Sequence, residues 1–296
     1  ALALQTLNAA VMGTPVARIV TFRLYLRDIG LALSAEFPSA ECTLDLDDLE
    51  SRTRLSIALC SLRLGHYTSA FNGFSIALQY YLIERNLPTQ WRHLFLSARE
   101  DIKFLPKRLE ARVACRPNRV SLPPYDRQLT PDRELGLLFV GTLNYPPNEE
   151  AVRHLLTRVT PALAKQITTP WRLRIVGRHA SLALKKLLNA QHNVIFIDDA
   201  EDLTGLYART HIVLVPLFAG GGTKLKTIEG FAQQCAVISS QQGVRGLDAR
   251  ANEHYLAAHT GDDFIHAIVS LAENPQRRDR IASAGHSLYL EKYAAP

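Results

Sequence analysis

The stretch that most constrains this chain is 218–240, FAGGGTKLKTIEGFAQQCAVISS. It follows an unbroken apolar run, Ile212-Val213-Leu214-Val215-Pro216-Leu217, with the length and content of a buried strand. Gly220, Gly221 and Gly222 come next, and Thr223 stands where an N-cap is expected. Leu225, Ile228 and Ala232 then recur at helical spacing, so 224–234 reads as a helix with one apolar face. Ala236–Ser239 reads as the next strand. Strand, glycine loop, helix and strand in succession point to a parallel α/β sheet. The same order prepares a place for an anion. Glycines let a ligand approach the backbone, the first helical amides lack partners within the helix, and the helix dipole adds partial positive charge there. Lys224 and Lys226 add two full charges. Glu229 lies three residues after Lys226, on the same helix face, where a carboxylate accepts hydrogen bonds from hydroxyl groups. Lysines for a diphosphate and a carboxylate for hydroxyls describe a nucleotide-sugar pocket. A glycine turn with a solvated Lys/Glu face is the plainer alternative.

The segment resembles the donor-site motif of GT-B glycosyltransferases of the group 1 or family 4 type. That family has a Glu, seven residues, a second Glu, then a small-residue helix and a Pro-Val-Ile-like strand. Glu229 matches the second Glu, which the resemblance assigns to the ribose hydroxyls of the donor. The first Glu falls at Gly221, so this chain lacks it. One branch of the family has a glycine-rich version with a Lys three before the Glu, and Lys226 fits that branch. The resemblance implies an α/β protein of GT-B architecture, two Rossmann-like domains with parallel sheets facing across a cleft. It implies transfer of a sugar from a nucleoside-diphosphate donor to an acceptor hydroxyl, with retention of configuration and without a metal. Lys224, Lys226, the amides of 220–223 and the dipole would then stabilise the diphosphate as it leaves.

The rest of the second half fits this reading. LLFV at 137–140 is a buried strand ending at Gly141-Thr142, where the family contacts the diphosphate and where a turn needs a glycine anyway. Trp171–Val176 is a strand running into Gly177-Arg178, and Arg178 meets either phosphate or solvent. The strand at 193–197 leads into Asp198-Asp199-Ala200-Glu201-Asp202, a loop that in the family lies against the nucleobase, with Asp202 capping a helix over 203–209. Helices are predicted over 149–163, 182–188, 262–272 and 275–293, and a strand over 254–257. The last helix resembles the one by which GT-B chains cross back to the first domain. The donor-site candidates are Gly141, Thr142, Arg178, Gly220, Gly221, Gly222, Thr223, Lys224, Lys226 and Glu229.

The Pro-rich polar stretch SLPPYDRQLTPDR at 121–133 is the best boundary in the chain. It separates a partial acceptor-side domain (1–125) from a linker (126–134) and a donor-binding domain (135–296). Strands are predicted at 17–26, 41–46, 93–97 and 112–115, with a helix through 33 and further helices over 53–64 and 70–84. Four strands are fewer than a complete unit of ~150 residues carries. The first domain is therefore expected to be incomplete at its N-terminus, in keeping with Ala at position 1 and the absence of a signal-peptide pattern. DLDDLES at 45–51 could bind a divalent ion or complement the dipole of the helix that follows; the resemblance favours the second. Asp47 and Asp48, at a strand's carboxyl end, are expected on the acceptor side of the cleft.

The totals exclude several classes. Among 296 residues no run of ~18 apolar ones occurs, so no membrane span is expected. Cys42, Cys60, Cys115 and Cys235 lack metal-site spacing and read as reduced core residues of a cytoplasmic protein. A net charge of +6 suits an anionic donor or peripheral contact with an anionic membrane face. No basic tract with interleaved aromatics points to nucleic acid. The expected partners are a nucleotide-sugar donor, as co-substrate rather than cofactor, and a saccharide or lipid-linked acceptor. No metal ligands and no general base can be assigned. A non-catalytic nucleotide-sugar-binding relative, or a GT-B epimerase with acid/base carboxylates at the sugar, are the alternatives.

Overall fold

A computed structural model describes residues 14–122, 134–200 and 202–295. The linker predicted at 126–134 lies almost wholly outside the described residues. Two sheets stand on either side of it, and the strand pairings in both are parallel.

The first sheet runs β1 (Arg18–Phe22), β2 (Glu41–Asp47), β3 (His93–Leu96), β4 (Val113–Cys115), in that order. These are the four strands expected of the first half. Helices α1 (Arg27–Glu36), α2 (Glu50–Arg63) and α3 (Tyr67–Arg85) and the short α4 (Lys107–Glu110) connect them. Leu44, Leu46, Leu94, Leu96 and Trp91 bury a core of their own here. The register of β2 against β3 slips between Asp45 and Asp47. Asp47 has φ 60°, a left-handed conformation that Asp tolerates better than most residues, and it turns the chain into α2.

The second sheet holds β5 (Leu135–Val140), β6 (Trp171–Val176), β7 (Val194–Ile197), β8 (Ile212–Val215), β9 (Ala236–Ser239) and β10 (Leu256–Ala257). Their order is β10-β9-β8-β5-β6-β7. All residues of β8 and β9 are buried, as continuous apolar runs covered by helices on both faces should be. The connections run outward in opposite directions from the adjacent pair β5 and β8. Such a switch of direction opens a crevice at the carboxyl ends of the two strands.

The helices of this half are α5 (Pro146–His154), α6 (Thr160–Gln166), α7 (Leu182–Asn189), α8 (Thr204–Ala208), α9 (Leu225–Ala232), α10 (Gly261–Glu273) and α11 (Pro275–Lys292). The single helix predicted over 149–163 is divided by a π-turn at Leu155–Val159, next to Pro161, which has no amide to continue the ladder. Strand β8 stops at Val215, ahead of Pro216, for the same reason. Strand β10 begins later than predicted because His254 sits in a turn, its Nδ1 accepting from the Arg250 amide at 2.9 Å. Helix α11 packs on α9 and β9. Beyond it Ala294 bridges Val120, and the Tyr289 hydroxyl donates to Val120 O at 3.0 Å, so the end of the chain reaches the end of the first half.

Candidate functional site

The glycine loop between β8 and α9 sits at the crevice beside the end of β5. Gly220 has φ 105° and Gly222 φ 60°; the first angle is open without strain only to glycine, and the second lies in the left-handed region that favours it. Gly221 is required for a different reason. A Cβ there would overlap Thr53 Oγ1 and lie 2.6 Å from Asp48 Oδ2. The loop is pressed against the start of α2, and neither the family's Glu nor any other side chain fits at this position in this arrangement of the two domains.

Four contacts hold the loop in place. The Gly220 amide donates to Ser56 Oγ at 2.9 Å. Gln242 Nε2 donates to the Gly220 carbonyl. Lys224 folds back so that its ammonium donates to the Gly221 carbonyl and, at 3.1 Å, to that of Gly222. The Thr223 hydroxyl donates to Ser97 O at 3.4 Å. Two expectations are corrected by this geometry. Thr223 is not the N-cap: the helix starts one residue later, Lys224 holds the N-cap position without a side-chain cap, and Thr223 is buried against the first domain. One of the four loop amides, that of Gly220, is spent on Ser56 and does not face an open anion site. Burial pulls the Lys224 ammonium down to about 8, with Asp48 opposing the fall.

Lys226 takes a different course. Its Nζ donates to Asn148 Oδ1 at 2.7 Å and stands 4.4 Å from the Phe139 ring centroid, at the end of β5. A Cβ on Gly141 would lie 2.8 Å from this Nζ and 2.7 Å from Asn148 Nδ2, so the glycine leaves the room that lysine and asparagine occupy. Asn148 Nδ2 in turn donates to the Thr142 carbonyl at 2.9 Å. Burial brings the Lys226 ammonium down to about 7, partly opposed by Glu229. Glu229 accepts from the Tyr207 hydroxyl at 3.1 Å, and burial holds its carboxyl above the usual range despite Tyr207 and Lys226. Gly141, Thr142, Lys226 and Glu229 are thus brought together at the crevice, with Gly220–Gly222 alongside.

The other candidates lie around this centre. Gly177 packs against the Gly141 carbonyl, so β6 closes tightly on β5. Arg178, just beyond, is exposed and paired with Asp199. Asp202 accepts from the Thr204 amide at 2.7 Å but stands one residue before the N-cap of α8, which is Leu203, so it is not the cap the sequence suggested. Asp48 faces the glycine loop but is held by Arg23 at 2.5 Å and by Thr53 at 2.8 Å. Asp47 turns the other way, to Arg23 at 2.6 Å and Asn118 at 3.0 Å. Among the described residues no three His, Cys, Asp or Glu side chains gather as metal ligands do.

Sequence reading missed Asn148, Tyr145, Tyr207, Ser56 and Thr53. Asn148 carried a signal, since it lies in the first turn of the helix that follows the glycine-ended strand β5. The Tyr145 hydroxyl, pushed up to about 12 by burial, stands 3.0 Å from where a Gly220 Cβ would be. Nothing local in the sequence marks it.

Two parallel sheets, one ending in a glycine loop at its switch point and facing the other across a cleft, define the GT-B architecture. Residues 134–274 match the family described as glycosyl transferases group 1. That match takes in the second sheet and the helices around it, a little under half of the chain. Solved structures agree on the fold. Sucrose-phosphate synthase from Thermosynechococcus elongatus superposes with a TM-score of 0.71 at 16% identity, over 99% of this chain and 73% of that one. A glycosyltransferase from Rickettsia africae gives 0.67 at 13%, over 98% and 76%. Anabaena HepE, solved with UDP and glucose, gives 0.63 at 13%, over 93% and 74%. By sequence, the chain is 27% identical over 165 residues to a 44.6 kDa protein of the cps region of Klebsiella pneumoniae, covering 53% of this chain and 42% of that protein. The chain thus spans less than half the length of this curated relative.

Proposed function

We propose that this protein transfers a sugar from a nucleoside-diphosphate donor to an acceptor hydroxyl, without a metal and with retention of configuration. The observation that carries the reading is the meeting of Gly141, Lys226 and Glu229 beside a glycine loop at the switch point of a parallel sheet. Breaking the glycosidic C–O bond leaves negative charge on the diphosphate. Lys226, poised near neutrality by burial, gains its proton when that charge arrives. The first-turn amides of α9 and its dipole add to the same field. One such preorganised donor is worth on the order of 10²–10³ in rate. Glu229, oriented by Tyr207, accepts from donor hydroxyls. Thr142 and Arg178 flank the diphosphate; Arg178 must leave Asp199 to do so. Lys224 acts indirectly, by holding the loop's carbonyls.

HepE and TarM structures were solved with UDP, which makes UDP the first nucleotide to try. The cps-region relative supports polysaccharide biosynthesis as the setting. No helix among the described residues is long and apolar enough to cross a membrane; we place the reaction in the cytoplasm, with peripheral contact to the membrane's inner face.

A thermal-shift panel of nucleoside diphosphates and their sugars tests the proposal. A ligand at ~100 times its dissociation constant adds ~2.7 kcal/mol of stability. A shift for one nucleotide, unaffected by chelator and lost in Lys226→Ala with Glu229→Ala, supports the donor site. No shift with any nucleotide refutes it. The crowding at Gly221 favours a second reading, a nucleotide-sugar-binding protein without transfer; donor binding with no turnover on any acceptor would select it.

A further inference from the structure

A cavity of about 650 Å³ opens on the far side of the glycine loop, over the carboxyl ends of β8 and β9. One wall is first-domain chain, Arg52 on α2 and the 3₁₀ turn Arg99–Phe104; the other is second-domain chain around Gln242 and Arg245. Gln242 joins this cavity to the donor cluster, because it also donates to the Gly220 carbonyl.

The charges around the cavity do not balance locally. Asp101, 1% exposed, is paired directly with Arg245 across the domain boundary. The same carboxylate is the ion-pair partner of Arg52, at 3.9 Å, with buried Glu84 adding a weaker attraction. Arg52 Nε is buried and makes no hydrogen bond. Its guanidinium lies 3.4 Å from the Phe104 ring centroid, which fixes its plane without neutralising it. Lys103 lines the same space and brings a third cation. Glu100 is the carboxylate opposing them, and His259 stands on the rim. Burial and the nearby Arg245 pull the Arg52 guanidinium below its ordinary value, and Asp101 and Glu84 offset this only in part.

We infer that Arg52 and Arg245, set on opposite walls of the cleft around one buried aspartate, form an anion subsite that takes a phosphate monoester carried by the acceptor. Guanidinium groups meet phosphate oxygens two at a time, and a guanidinium held in plane by Phe104, its Nε without a hydrogen bond, needs little reorganisation to do so. A phosphate at this point sits across the glycine loop from Lys226, so donor and acceptor occupy two sides of one loop. The assignment of the phosphate to an acceptor rests on the transfer reading above; the anion subsite does not.

The test uses glycerol 3-phosphate as probe, with glycerol as the neutral control and UDP in parallel, by isothermal titration calorimetry. A further arm offers phosphatidylcholine vesicles with and without phosphatidic acid. The proteins are wild type, Arg52→Gln, Arg245→Gln and the donor-side variant Lys226→Met. Glycerol 3-phosphate should bind wild type and Lys226→Met alike and bind Arg52→Gln on the order of tenfold more weakly or worse. UDP should show the reverse pattern. Arg245→Gln also strips Asp101 of its partner and can fail to fold; Arg52→Gln loses no hydrogen bond and keeps the test decisive. Binding of phosphatidic acid vesicles alone, lost in Arg52→Gln, places the phosphate on a lipid; binding of the soluble ester places it on a soluble acceptor. Equal binding by wild type and Arg52→Gln, or binding of neither probe, overturns the subsite. Arg52-dependent phosphate binding with no UDP binding keeps the subsite and overturns its assignment to an acceptor.

Discussion

Lys226 should make the proposed donor site sensitive to pH, with a sign and size that follow from its surroundings. Its ammonium, bonded to Asn148 and set over the face of Phe139, has been brought down to about 7 by burial, which Glu229 opposes only in part. A diphosphate beside it would restore the ordinary value of 10.5. Binding then takes up a proton wherever the free protein has lost one, so affinity falls as pH rises through 7 and levels off only near 10.5. Between pH 7 and 9 the loss from this one group is roughly 50-fold, about 2.3 kcal/mol, and at pH 8 binding takes up about 0.9 proton. Lys224, at about 8, adds to the slope in the same direction if the loop opens. The assay is calorimetric titration with UDP in two buffers of different ionisation enthalpy, which counts protons directly. Lys226→Arg keeps its charge across this range and should flatten the slope. A dissociation constant that stays level from pH 7 to 9, or a slope unchanged in Lys226→Arg, would refute the argument that burial holds this lysine near neutrality.

Two further predictions concern the fold around the site. Gly221→Ala puts a methyl group into Thr53 Oγ1 and 2.6 Å from Asp48 Oδ2; it should cost about 1–3 kcal/mol or part the domains, seen as a lower melting temperature or a larger radius in solution scattering, and Thr53→Ala should recover part of the loss. Glu84, 4% exposed and bonded by the Ser51 amide and hydroxyl, is pushed up to about 7 by burial. The folded state therefore holds this proton more tightly than the unfolded state, and stability should fall by up to about 3 kcal/mol as pH rises from 4.5 to 7. Thermal melts of Glu84→Gln over that range should lack this component, and melting curves that run parallel to wild type at every pH would count against it.

The local code accounts for much of what is observed. Strands β6 and β9 run over the residues expected of them, the first set by alternation of apolar residues with Arg172 and Arg174, the second by a short buried run bounded by turn residues. The glycine loop, its helix and the approach of Gly141 to Lys226 follow from residue types at fixed spacing. Spacing could not tell Lys224 from Lys226. Both stand at the start of one helix, but a two-residue rotation sends the first back under its own loop and the second across β5 to Asn148.

The sequence by itself determined the parallel α/β architecture, the place where a helix starts behind a glycine loop, and the carboxylate three residues after Lys226. These are properties of short runs, set by periodicity and backbone preference within one connection. Only the tertiary structure decided which charges are neutralised and which are left to act. Ser56 takes the Gly220 amide from 164 residues away in the chain, Thr53 and Asp48 forbid a side chain at Gly221, Tyr207 orients Glu229, and Asp101 must serve both Arg245 and Arg52. Each of these depends on two surfaces meeting across the cleft or around the sheet. The energy of a charge is set by its distance to partners and by its burial, neither of which a linear order of residues records.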